Sequence, residues 1–109
     1  MTAGLADAVE LQAQAAEVAA ILRLLANERR LMILCKLAEW GEANVNALAE
    51  AVGLTQSALS QHLAKMREEG IVAYRRQSQT LWYRIADLRV EQLLVTLHRL
   101  FCQTGKDRR

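Results

Sequence analysis

Two sets of side chains in this 109-residue sequence have the types and spacing to do specific chemistry. The first is a pair of thiols, Cys35 and Cys102. A thiolate can attack a sulfane or disulfide sulfur, and a second thiol within reach can close a crosslink. The second set is a polar run, Gln56, Ser57, Ser60, Gln61, His62 and Lys65, followed by Arg75 and Arg76. Gln can pair bidentately with adenine, Ser can bond to bases or phosphates, and Lys and Arg suit phosphates. Each set also has a plainer reading. Cys35 falls on an apolar stripe with Leu31, Leu34 and Ala38, where cysteine is usually a small hydrophobe. Ser57, Ser60 and Gln61 also suit an ordinary solvated helix face, and His62 can equally brace the helix or touch a phosphate. His98 and Cys102 are four residues apart and share a helical face. Together with Cys35 they could supply three ligands to a metal. No glycine-rich phosphate loop or nucleophile elbow is present, which argues against an enzyme.

These residues must be placed by regular elements, and the sequence marks them. There is no proline, so long helices are permitted. A first helix is predicted over about 6–25, with Val18, Ile21, Leu22 and Leu25 on one face. Asn27 caps a second, reaching Trp40. Asn44 caps a short third carrying Val45, Leu48, Ala49 and Val52, and Thr55 caps a fourth over about 56–69. In the fourth, Ala58, Leu59, Leu63 and Met66 face inward, which leaves the polar run outward. Gly41, Gly53, Gly70 and Gly105 each follow a helical pattern, where a left-handed cap is expected. Residues 71–76 and 80–85 are rich in β-branched and aromatic types and join through Gln77, Ser78 and Gln79 as a hairpin. A last helix spans about 88–103, with Val90, Leu93, Leu94, Leu97, Leu100 and Phe101 apolar. The order is α-α-α-α-β-β-α. Two short helices joined through Gly53 and followed by a basic hairpin make a winged helix-turn-helix, mainly α with a small β-hairpin wing.

Charge distribution agrees with a nucleic-acid partner. The net charge is only +2, but residues 1–20 carry three acids and no base, whereas residues 56–84 carry five bases against two acids. Hydrophobic residues make up 52 %, more than a chain of this length can cover alone, so apolar terminal helices point to dimerisation. The amino terminus lacks a signal-peptide pattern, and no apolar run approaches the ~20 residues needed to span a bilayer. A cytoplasmic location with reduced thiols and no membrane partner is expected.

The chain resembles the ArsR/SmtB family of bacterial repressors over roughly Val18 to Gln103. The markers are Leu25-Ala26-Asn27-Glu28-Arg29-Arg30, Gln56-Ser57-Ala58-Leu59-Ser60-Gln61-His62-Leu63, Glu69-Gly70-Ile71-Val72 and the wing's Tyr83. The resemblance implies one domain over 1–109, a homodimer joined through the first and last helices, and two reading helices on a palindromic double-stranded operator. It also locates the family's usual metal sites, and both look absent. Asn44-Val45-Asn46-Ala47 offers no thiol at one. At the other, Asp87 survives while Arg89, Leu100 and Gln103 replace the remaining ligands, and neither a cation nor a leucine binds zinc. No metal or other cofactor is therefore expected. Leu34-Cys35-Lys36-Leu37 and Leu97-His98-Arg99-Leu100-Phe101-Cys102-Gln103 look like the HlyU/BigR/SqrR branch. That similarity implies a Cys35–Cys102 pair that senses persulfides or oxidants, with reactive sulfur or an oxidant as inducer. The expectation is a DNA-binding regulator, most simply a repressor. A metal-responsive repressor with an atypical site and an anti-silencing activator are the alternatives.

Overall fold

The computed structural model describes residues 9–102. After helical residues 9–13, a turn at Gln14 leads into α1 (Ala15–Leu25), followed by α2 (Glu28–Trp40). The two-residue strand β1 (Ala43–Asn44) precedes α3 (Val45–Val52) and α4 (Gln56–Glu68). The hairpin strands are β2 (Val72–Gln77) and β3 (Thr80–Ile85), and α5 (Leu88–Phe101) closes the described chain. The expected winged helix-turn-helix is therefore present, with one strand more than the sequence reading contained. The expected start of the first helix near Ala6, the last-helix end at Gln103 and the cap at Gly105 lie outside the described residues.

The helix starts sit where the capping residues put them. The side chain of Asn27 accepts from Arg30 N–H at 3.1 Å, Asn44 from Ala47 N–H at 2.8 Å, Thr55 from Ala58 N–H at 3.0 Å and Asp87 from Arg89 N–H at 2.9 Å. Each cap satisfies an amide that the helix cannot, worth about 1 kcal/mol. Gly53 ends α3 in the left-handed region at φ 71°, and this gives the sharp turn into α4 without steric cost.

The sheet order is β1-β3-β2, antiparallel throughout. Ala43 pairs with Tyr83 and Asn44 with Trp82, while β2 and β3 pair from Val72–Ile85 to Gln77–Thr80. Alternation gives the sheet an inner face of Val72, Tyr74 and Tyr83 and an outer face that includes Arg75, Trp82 and Arg84. The core gathers Ile33, Leu34 and Leu37 of α2, Leu48 and Val52 of α3, Leu59, Leu63 and Met66 of α4, Val72 and Tyr83 of the wing, and Val90 and Leu94 of α5.

Two sequence expectations need correction. Cys35 does not belong to the buried stripe of α2 and is exposed. The stripe centres on Ile33, Leu34 and Leu37, and at 3.6 residues per turn Cys35 lies roughly 150° round the helix from it. In α1 the buried pair is Leu24 and Leu25, and Leu22 is exposed. Leu88, Val95, Leu100 and Phe101 of α5 are exposed as well.

Candidate DNA-reading face and thiol pair

The candidate DNA-reading face lies on α4. With Leu59, Leu63 and Met66 fully buried, the opposite side of the helix carries Gln56, Ser57, Ser60, Gln61 and Lys65, all exposed. The Gln56 amide donates to the side-chain oxygen of Asn46 across the turn, so the starts of α3 and α4 are tied together. An open groove of about 680 Å³ runs between this turn and the wing tip, with Asn46, Gln56, Ser60, Gln79 and Leu81 among its walls.

His62 is half-buried, and its Nδ1 accepts from Arg30 Nε at 3.3 Å. Arg30 also donates to the carbonyl of Leu24 at 3.4 Å. Burial pushes the imidazole pKa down, and the nearby Arg30 and Arg29 charges push it the same way. His62 thus links α4 to α2. At the far end of α4 the Arg67 guanidinium lies 4.9 Å from the ring centre of Tyr74, which packs 5.3 Å from Tyr83. These contacts hold the reading helix against the wing.

The two wing arginines point to opposite faces of the sheet. Arg76 is exposed and makes no ion pair among the described residues. Arg75 grips Glu42 with two hydrogen bonds, Nε to Oε2 at 2.7 Å and Nη2 to Oε1 at 3.0 Å. Glu42 was not singled out from the sequence. Its partner lies 33 residues away, and no local periodicity records such a pairing.

Both thiols are free and exposed, Cys35 on α2 and Cys102 as the C-cap residue of α5. Cys35 borders an apolar cleft of about 320 Å³ between these helices, lined also by Ala38, Leu94, Val95 and His98. Burial of its surroundings raises the thiol's pKa, and negative charge on Cys102 and on Glu39 raises it further. No group of three or more His, Cys, Asp or Glu side chains is placed to hold a metal ion among the described residues. Cys35, His98 and Cys102 are therefore not gathered as a three-ligand site. Where the second family metal site would stand, Arg89 bonds to Asp87 at 2.9 Å and to Glu17 of α1 at 3.0 Å.

Comparison with known proteins agrees with this architecture. The model of the arsR family of bacterial regulatory proteins matches residues 27–74, from the α2 cap to the middle of β2. The transcriptional activator HlyU of Vibrio cholerae is 41 % identical over 97 residues, which is 89 % of each chain. The biofilm growth-associated repressor of Xylella fastidiosa is 38 % identical over 97 residues, covering 89 % of this chain and 84 % of that one. The solved structure of reduced HlyU from Vibrio cholerae superposes with a TM-score of 0.80 at 42 % identity, covering 86 % of this chain and 98 % of that one. These relatives are regulators of transcription, not enzymes, and the chain with its capped reading helix and basic wing belongs to the arsR family of bacterial regulatory proteins.

Proposed function

We propose that the protein is a homodimeric DNA-binding regulator whose operator affinity is controlled by a Cys35–Cys102 thiol pair. The observation that carries this reading is the placement of two free, exposed thiols on α2 and at the end of α5, outside the α4 and wing surface. The thiolate of one cysteine attacks the sulfane sulfur of an organic persulfide, forming a protein persulfide and releasing the organic thiolate. The second thiolate then attacks the inner sulfur, forming the disulfide and releasing hydrosulfide. A direct disulfide requires Cα atoms within about 7 Å, and retained sulfur atoms relax that limit. The crosslink ties α2 to α5.

The exposed apolar residues Leu22 of α1 and Leu88, Leu100 and Phe101 of α5 support dimerisation through the terminal helices. Gln56, Ser57, Ser60, Gln61 and Lys65 are the proposed contacts to bases and phosphates, and two copies of α4 suit a palindromic operator. Repression is the simplest output. The activator named among the relatives supports a second reading, in which the same DNA binding displaces a silencing protein. A reporter assay with and without the silencer separates the two.

The test uses Cys35→Ser and Cys102→Ser. Both variants, when reduced, are expected to bind operator DNA like the unmodified protein. Polysulfide releases only the unmodified protein, and mass spectrometry finds the crosslink there alone. Release of both single variants would reject the paired-thiol mechanism.

A further inference from the structure

The outer face of the wing sheet holds a charge arrangement that the DNA-reading surface does not require. Glu42 stands one residue before β1, and register places Asn44 of β1 and Arg75 of β2 on either side of Trp82 in the central strand. Arg75 reaches across that strand. Its Nε and Nη2 bond to the two oxygens of Glu42, its Nη1 donates to Gln77 Oε1 at 2.9 Å, and its guanidinium carbon lies 5.7 Å from the ring centre of Trp82. The bidentate fit requires a planar guanidinium, so lysine cannot reproduce it. Arg75 and Arg84 both hold the Glu42 carboxyl pKa below its ordinary value. Arg76, the next residue, takes the other face, and its register partner Leu81 lines the groove between the wing and the reading helix.

We infer that Glu42 is a positioning residue for DNA binding: by holding Arg75 across Trp82 it sets the wing against β1, and Arg76 rather than Arg75 is the wing's phosphate contact. The inference rests on the reading that α4 and the wing engage DNA, and it reassigns Arg75 from contact to brace. A two-stranded hairpin is marginal alone and takes its orientation from what it packs on. Here the brace joins the outer wing strand to the segment that caps α3, so the wing and the helix-turn-helix keep one relative tilt. The brace has a distinctive sign. Removing an acid near a DNA-binding surface ordinarily tightens binding, because repulsion from phosphate falls. Loss of a positioning acid weakens it.

The test measures affinity against salt concentration for Glu42→Gln, Arg75→Lys, their double variant and Arg76→Ala. The probe is a duplex selected from a randomised pool by the unmodified protein. Glu42→Gln and Arg75→Lys are expected to weaken binding about two- to fivefold with an unchanged salt slope, the scale of one exposed pair. The double variant is no worse than either single one. Arg76→Ala lowers the slope by about one unit. Amide exchange without DNA provides an independent readout, with residues 72–85 exchanging faster in Glu42→Gln while the helices are unchanged. Tighter binding by Glu42→Gln, or additive losses in the double variant, would overturn the brace while leaving the DNA reading intact. Unchanged wing exchange would overturn it whether or not the duplex binds. Failure of the unmodified protein to enrich any duplex from the pool, with wing exchange accelerated in Glu42→Gln, would retain the brace and remove the DNA reading.

Discussion

Cys35 should titrate above an ordinary cysteine, and the three causes of its shift can be separated. An unperturbed thiol with a pKa of about 8.5 is roughly 9 % thiolate at pH 7.5. Burial, Cys102 and Glu39 all raise Cys35, in that order, so its thiolate fraction must fall below that figure. The perturbation is Cys102→Ser. It removes the second cause and leaves burial and Glu39 in place, so the Cys35 pKa should drop towards the ordinary value without reaching it. Glu39→Gln should give a smaller drop. Site-resolved alkylation by iodoacetamide across a pH series, read by mass spectrometry, reports each inflection. An inflection below about 8.5 in the unmodified protein would refute the reasoning, because burial, Cys102 and Glu39 all act to raise it. No change on Cys102→Ser would show that the thiols are not coupled. The sign also bears on reactivity. A high pKa leaves less thiolate but a more nucleophilic one, and this favours reagents with good leaving groups over dilute peroxide.

Other expectations follow from burial and geometry. Gln61→Ala should lose about 1–3 kcal/mol of operator affinity and relax sequence choice if Gln61 reads a base, which competition against single-base variants of the operator measures. Leu63→Ala, at a site with no solvent exposure, should cost about 2–5 kcal/mol of unfolding free energy in urea titration. The depressed pKa of His62 means that the unfolded chain takes up its proton first on acidification. Its contribution is therefore fully present above the ordinary imidazole pKa of about 6.5 and is lost as pH falls through the window below that value. A smaller loss of stability on acidification in His62→Gln than in the unmodified protein would verify this. Light scattering should give a dimer at micromolar concentration, and a monomer would count against the proposed role of the exposed residues of α1 and α5.

The sequence was most informative where structure depends on neighbours in the chain. Asn27, Asn44 and Thr55 cap helices as their positions suggested, and Gly53 turns the chain because only a left-handed residue fits there. The polar face of α4 was legible because Leu59, Leu63 and Met66 leave it only one side to occupy. Interactions between distant segments were not legible. β1 has only two residues, too few for a period-2 signal, and exists because β3 offers an edge. The exposure of Cys35 depends on which side of α2 the other helices approach. Its stripe was ambiguous because Leu31 and Ala38, beside Cys35, are apolar like the buried Ile33, Leu34 and Leu37. The Glu42–Arg75 bond likewise needs the folded sheet to bring its partners together.

Asn44 performs two structural tasks. Its backbone belongs to the strand paired with β3 at Trp82, and its side chain caps the helix that leads into the reading helix. A joint between wing and helix-turn-helix would have to open at this residue, and opening it would break a ladder position and a cap together. In the proposed dimer, each protomer would accordingly present its reading helix and wing as one body. For such a body the adjustable quantity is the spacing and rotation between two copies, so a signal received at α2 and α5 would act as a change of gauge across the pair of heads and leave the shape of each head intact.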